Sequence, residues 1–222
     1  MVLEQVAFDI ETTGFDADDE LTVAGFALPL GVRVFLRTDG RTVDGVEAAV
    51  QEQVECHVRL STHASERALL EAVGEFSRDR LADDDVLLVA FNGETWRSGF
   101  DLPFLRTRLT HYDVTWPFGD VPYADLLPVI SKRFNTTVGE EECRDLVGVY
   151  DMLCGGADGA LDPFEESSEA VAAFEAGEFT PLVLHNVADV LRTRALGGLA
   201  EQYCSKSEFN VKSLTATTQE YG

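Results

Sequence analysis

The run VAFDIETTGF, Val6 to Phe15, is apolar enough to be a strand, yet it ends by setting two carboxylates, Asp9 and Glu11, one residue apart before a Thr-Thr-Gly turn. In a strand, residues i and i+2 share a face, so the two acids point together from one side and Ile10 points from the other. Like charges held that close raise at least one pKa unless a cation compensates them. A fold built on this strand therefore has to supply a bound metal or let the pair share a proton.

The order of the apolar runs sets the fold class. Val2 to Ile10 reads as the first strand, and Leu21 to Leu28 and Val32 to Leu36 as two more, joined hairpin-fashion at Pro29-Leu30-Gly31. Three consecutive strands predict an antiparallel start. Residues 40–60 carry a short helical pattern around Val46 to Val50 and a strand-like run from Val54 to Leu60, and are expected as an insertion. Ser65 caps an amphipathic helix with Leu69, Leu70, Val73 and Phe76 on one face, and the apolar run Val86 to Phe91 returns the chain to the sheet. Asp101 to Leu109 and Asp125 to Phe134 read as helices, and residues 140–177 as mostly helical around a glycine-rich loop at 155–159. A long last helix is expected from Thr180-Pro181, where Thr suits the N-cap and Pro the first helical position. The expected class is α/β, a mixed sheet with three antiparallel strands first and parallel strands after, flanked by helices. One domain is expected over residues 1–204, with 205–222 as a polar C-terminal extension.

Composition bears on partners. No apolar stretch is long enough to span a bilayer and no basic segment precedes the first strand, so no membrane partner and a cytoplasmic location are expected. The four cysteines, Cys56, Cys143, Cys154 and Cys204, lack metal-ligand spacing and read as reduced thiols. The formal charge of -23 comes from acids spread through periodic segments, and lysine occurs only at 132, 206 and 212, a halophilic pattern that resembles proteins from salt-loving archaea. In molar salt the Debye length falls to roughly 3 Å, so this acidity does not exclude nucleic acid. Arg106-Arg108, Lys132-Arg133 and Arg192-Arg194 read as solvated helix faces more readily than as phosphate contacts.

Two further segments carry chemistry. In LLVAFNGETWRSGFDLPFL a strand runs into a loop, and Asp101 opens the next helix near the carboxyl edge of the sheet. In PLVLHNVADVLRTRAL, His185 and Asp189 stand four residues apart and share a helix face. Together with FDIETTGF, these segments resemble, in order, the three motifs of the DEDD superfamily of 3′-5′ exonucleases, which has the ribonuclease H-like, or DnaQ-like, fold. The likeness runs from about Val6 to Ala195. DLLPVI at Asp125 and DPFEESSEAVAAFEAGEFTPLVLHNVADVLRT are similar to the predicted ribonuclease H-like exonuclease branch and to the proofreading domains of archaeal polymerases.

The resemblance implies a phosphodiesterase using two Mg²⁺ or Mn²⁺ ions roughly 3.5–4 Å apart. Asp9 would bridge both ions, Glu11 and Asp189 would complete the first site, Asp101 would hold the second, and His185 would take a proton from the attacking water. His185 departs from the pattern, because it stands four residues before Asp189, the spacing of the family's tyrosine type, and not five. It serves as base, orients a water, or bonds to Asp189. The resemblance places substrate contacts at Thr12, Thr13, Gly14, Asn92, Trp96 and Phe100, with Trp96, Phe100 and Phe15 available to stack on a terminal base. The expected function is 3′-5′ exonuclease action on single-stranded or frayed nucleic acid. The alternatives are hydrolysis of oligonucleotides or small nucleotide diesters, and a noncatalytic scaffold in nucleic-acid repair. DNA and RNA are not distinguished by these residues.

Overall fold

The structure is a computed structural model, and it describes residues 3–82, 85–94, 100–156 and 161–215, without the side chain of Ser167. Trp96 and the start of the strand expected from Val2 lie outside the described residues. The first three strands are β1 (Glu4–Thr12), β2 (Leu21–Leu28) and β3 (Gly31–Arg37), paired antiparallel in succession. After α1 (Val46–Gln51), β4 (His57–His63) lies parallel to β3. Then α2 (Glu66–Arg80) crosses over to β5 (Val86–Ala90), parallel to β1, and α3 (Asp101–Tyr112) to β6 (Pro122–Asp125), parallel to β5. The chain continues through α4 (Leu126–Arg133), a two-stranded hairpin of β7 (Thr137–Val138) and β8 (Glu141–Glu142), α5 (Leu146–Cys154), α6 (Ser167–Ala176) and α7 (Phe179–Tyr203), and β9 (Lys212–Ser213) follows. The seven-stranded sheet runs β4-β3-β2-β1-β5-β6-β9. It is a mixed sheet flanked by helices, as the order of apolar runs predicts. No helix among the described residues is long and apolar enough to cross a membrane.

Alternation along β1 builds both faces of the core. Val6, Phe8 and Ile10 point into the layer beneath α2 and α3, whereas Ala7 points into the layer beneath α7. Gln5, Asp9 and Glu11 share the α7 face with Ala7; Gln5 donates to the Gly197 carbonyl of α7 at 3.3 Å, and the last two steps of the face are the acids.

Three departures from the sequence-based expectation have an identifiable local cause. The segment 40–60 is not looped out of the sheet: β4 pairs with β3 over seven positions, from Gly31↔His57 to Arg37↔His63. Its strand starts later than the apolar run because the Gln51 side chain binds the Val54 and Cys56 carbonyls and the Val58 amide, which holds residues 54–56 in a turn. The helix α7 begins at Phe179, one residue before the Thr-Pro signal, since Phe179 is buried against Phe174 and is drawn into the first turn. Pro181 is tolerated there because the first four amides of a helix have no intrahelical acceptor. The tail beyond Ser205 is joined to the sheet edge as far as it is described: Phe209 is buried, β9 pairs with β6, and Trp116 Nε1 donates to the Leu214 carbonyl at 3.0 Å.

One buried ion pair ties this frame together. Glu66 opens α2 and Arg108 lies in α3, and they meet in a two-bonded contact of 2.8 and 2.7 Å at 2% and 3% exposure. Glu66 also accepts from the Leu21 amide at 2.8 Å, and Arg108 donates to the Ala17 carbonyl at 2.9 Å. The pair therefore fixes the loop between β1 and β2 against two helices. Arg108 is thus neither a solvated face nor a phosphate contact, and Arg106 lies over the Trp116 ring. Removing one partner of a buried pair strands the other charge, at about 3–5 kcal/mol. Glu66→Ala is expected to lose that much stability in urea unfolding at fixed KCl, and a loss below about 1 kcal/mol would show that the pair is dispensable.

Candidate metal centre

Three elements bring acids to one place. Asp9 and Glu11 lie at the end of β1, Asp101 is the first residue of α3, and His185 and Asp189 are one turn apart on α7. The loop leaving β5 is shaped for Asp101: the Phe100 amide donates to the Asn92 carbonyl at 3.1 Å and the Leu102 amide to the Gly93 carbonyl at 2.9 Å. At Gly93 an added Cβ would stand 2.6 Å from Asp101 Oδ2, so only glycine lets the carboxylate come this close. Asp125, at the end of β6, accepts from the Asn92, Glu94 and Leu127 amides at 2.9, 3.2 and 3.1 Å, pinning that loop while capping α4.

The α7 side is held by residues to which the sequence analysis assigns no place in the site. Asn186, fully buried, donates from Nδ2 to the Asp9 carboxylate at 2.9 Å and to the Asp9 carbonyl at 3.3 Å. It sits against Gly25, the residue paired with Asp9 across β1 and β2, where a Cβ would come within 2.0 Å of Asn186 Oδ1. Asp162 Oδ1 lies 2.8 Å from His185 Nδ1, and its Oδ2 accepts from Arg192 at 2.6 Å. Arg192 in turn donates to Asp189 Oδ1 at 2.6 Å. Arg192 is therefore an internal brace, neither solvated nor available to a phosphate. Arg194 binds the Leu28 carbonyl at 2.8 Å.

The electrostatics follow from burial of like charge. Asp9 is pushed well above the usual carboxylate range by its burial and then by Glu11, Asp101 and Asp189, while the Asn186 bond opposes the rise. Asp101 is likewise raised by burial, then by Glu11, Asp125 and Asp189. Glu11 rises to about 7, chiefly through burial, with His185 pulling the other way. Asp189 is raised by burial against the pull of His185 and Arg192. Burial alone would lower His185, but the Asp162 bond and the charges of Glu11 and Asp189 hold it up to about 9. Asp162 itself falls to about 2: burial opposes this, and the bonds from His185 and Arg192 overcome it.

The acids open onto a cleft of about 400 Å³, with Thr12, Gly14, Phe15 and Phe100 at one side and Ser168 and Val171 of α6 at the other. Phe15 is 65% exposed and meets Phe100 edge-on at 5.1 Å. Of the expected substrate contacts, Thr12, Gly14 and Phe100 line this cleft. Thr13 turns its hydroxyl to Asp19 and the Glu20 amide, closing the loop before β2, and Asn92 holds a left-handed backbone conformation at φ 62° in the loop pinned by Asp125. Glu11, His185 and Asp189 also offer one donor atom each within 4.8 Å of one another. A scan against protein-family models and a search of curated proteins both find no match to this chain.

Stability of the metal-free protein should depend on pH with a definite sign. Glu11 has a folded pKa of about 7 against 4.5, so folding opposes its ionisation and stability is lost as pH rises through that interval. His185, raised from 6.5 to about 9, stabilises fully below 6.5 and loses this as pH climbs to 9. Both act in one direction, and chelator-treated protein at fixed KCl should melt at progressively lower temperature from about pH 5 to pH 9. Glu11→Gln should flatten this slope and melt higher than the parent protein above pH 7. A parent profile that is level or rising would refute the assignment.

Proposed function

We propose that this chain is a metal-dependent phosphodiesterase on a ribonuclease H-like sheet, removing nucleotides from the 3′ end of single-stranded or frayed nucleic acid. The observation that carries the reading is the convergence of Asp9, Glu11, Asp101 and Asp189, drawn from three motifs spread over most of the chain, on one cleft where each is raised by burial among the others. A strand order in which β3, β2, β1, β5 and β6 lie side by side supports it further.

The donor set fits hard divalent cations. Buried carboxylates with raised pKa values are stabilised as anions by a cation between them, and oxygen ligands suit Mg²⁺ or Mn²⁺. Asp9, Glu11, Asp101 and Asp189 would hold the ions, two in number by the resemblance, which when bound stabilise the charge that develops on the attacking and leaving oxygens of a phosphodiester. The chain's own groups do the positioning. Asn186 aims the Asp9 carboxylate, Arg192 aims Asp189, and the loop from Asn92 to Asp101 presents Asp101 at the helix start. Phe15 and Phe100 give the cleft an aromatic rim on which a terminal base stacks, a contact that does not discriminate between bases.

A second reading, hydrolysis of short oligonucleotides or nucleotide diesters, is favoured by one observation. Arg108 and Arg192, which could have followed a phosphate backbone, are spent on internal carboxylates. The two readings separate on substrate length. With Mn²⁺ in molar KCl, 5′-labelled DNA and RNA strands of about twenty nucleotides should shorten stepwise from the 3′ end, and Asp9→Ala should abolish the ladder. Cleavage confined to dinucleotides would favour the second reading. Full activity in chelator, or none on any of these substrates, would overturn both.

A further inference from the structure

The two ring nitrogens of His185 have different surroundings. Nδ1 is bound to Asp162 Oδ1 at 2.8 Å. Nε2 points between Glu11 Oε1 and Asp189 Oδ2, at 3.8 and 3.9 Å, which is beyond hydrogen-bond range of either. The residue is only 9% exposed and lines the cleft, so this nitrogen faces the same space as the two carboxylates, near enough to interact with their charge but without a hydrogen bond to either. Histidines that ligate metals show this pattern: one ring nitrogen faces the ion, and the other N–H is given to a carboxylate that fixes tautomer and ring orientation.

The surrounding contacts close into a ring. Asp162 holds Nδ1 with one oxygen and Arg192 with the other, and Arg192 holds Asp189 Oδ1. Asp189 Oδ2 is left facing Nε2. Ligands about 2.1 Å from a shared ion stand about 3–3.5 Å apart, so the two separations from Nε2 need to contract by about half an ångström and the set as a whole, which spans 4.8 Å, by about an ångström or more, within reach of side-chain rotations. The i, i+4 placement of His185 and Asp189 puts both donors on one helix face. His185, Glu11 and Asp189 line one cleft, and the groups nearest Nε2 are two carboxylate oxygens, the donors that an ion shared with Nε2 would need.

We propose that His185 Nε2 is itself a ligand, sharing a divalent cation with Glu11 and Asp189, and that Asp162 is the positioning residue that presents it. The inference rests on the metal-centre reading above and replaces the expected role of His185 as base. It also names the cation class. One imidazole nitrogen with two carboxylates favours a borderline transition ion such as Mn²⁺ or Zn²⁺ over Mg²⁺, which prefers oxygen alone. The spacing that departs from the histidine type of the resembling family then has a reason, since a ligand one turn before Asp189 must face the same ion.

The test uses the chelator-treated full chain in molar KCl, titrated calorimetrically with Mn²⁺ alone and Mg²⁺ alone, with pulsed electron paramagnetic resonance of the Mn²⁺-loaded protein. The expected spectrum carries the nitrogen modulation of a coordinated imidazole. It should persist in the combined variant His57→Gln, His63→Gln, His111→Gln and vanish in His185→Ala. Asp162→Asn should weaken Mn²⁺ binding about 10–100-fold and Mg²⁺ binding less. Mn²⁺ bound without nitrogen modulation would overturn the proposal while leaving the metal-dependent phosphodiesterase intact. Modulation in a protein that cleaves no strand would do the reverse. Failure to bind Mn²⁺ would overturn both. Should His185→Ala not fold, the parent spectrum beside the triple variant decides alone.

Discussion

Four carboxylates crowded into one cleft, one buried and three partly so, repel one another, and most of the architecture around them answers that fact. Removing a charged group from water carries an effective penalty of several kcal/mol unless something nearby compensates it. Here Asp9 and Glu11 come from a strand, Asp101 from the start of a helix and Asp189 from the middle of another. No local sequence preference would gather them. Their assembly is imposed by the sheet, which fixes the end of β1, and by α7, which packs across β1 and β2.

The frame spends its own polar groups on keeping that arrangement rigid. Glu66 and Arg108 lock the loop that follows Glu11, Asp125 locks the loop that precedes Asp101, and Asp162 with Arg192 locks the face of α7. Each brace is a charged group whose bonds are nearly all internal, which makes it costly to break and confers geometry more than net stability. The glycines at 25 and 93 have the complementary role, removing a side chain where a carboxylate or its amide partner must approach the backbone. Rigid acids and missing Cβ atoms together describe a pre-ordered acidic cleft, the feature on which the proposed cation site rests.

Much of this was legible in the sequence, and the parts that were not share a physical cause. Apolar runs and helical periodicity found β2 to the residue and placed β1, β3, α2 and α3 within a few residues, because the strands are apolar runs packed between two layers and the helices bury one face each. The i, i+2 rule put Asp9 and Glu11 together, and the i, i+4 rule did the same for His185 and Asp189. Asp162 was hidden, since in a chain with 40 acids an aspartate in a loop carries no signal until the fold brings it to His185 across 23 residues. Arg192 was closer to legible: it stands three residues after Asp189 on the same helix, a pairing distance, yet a basic pair on a helix reads as solvated unless its burial is known. Asn186 has no periodic signature, because its partner Asp9 lies 177 residues away.

If like-charge repulsion among these acids is the constraint around which the molecule is built, a cation should stabilise the fold through them. Thermal unfolding in molar KCl at pH 8, with and without Mn²⁺, tests this most directly. An ion present at about 100 times its dissociation constant adds about 2.7 kcal/mol, which for a domain of this size raises the melting temperature by about 5–10 °C. The account predicts that rise in the parent protein and little or none in Asp9→Asn, whose metal-free form should already melt higher than the parent. An unchanged parent melting temperature, or an equal rise in Asp9→Asn, would contradict it.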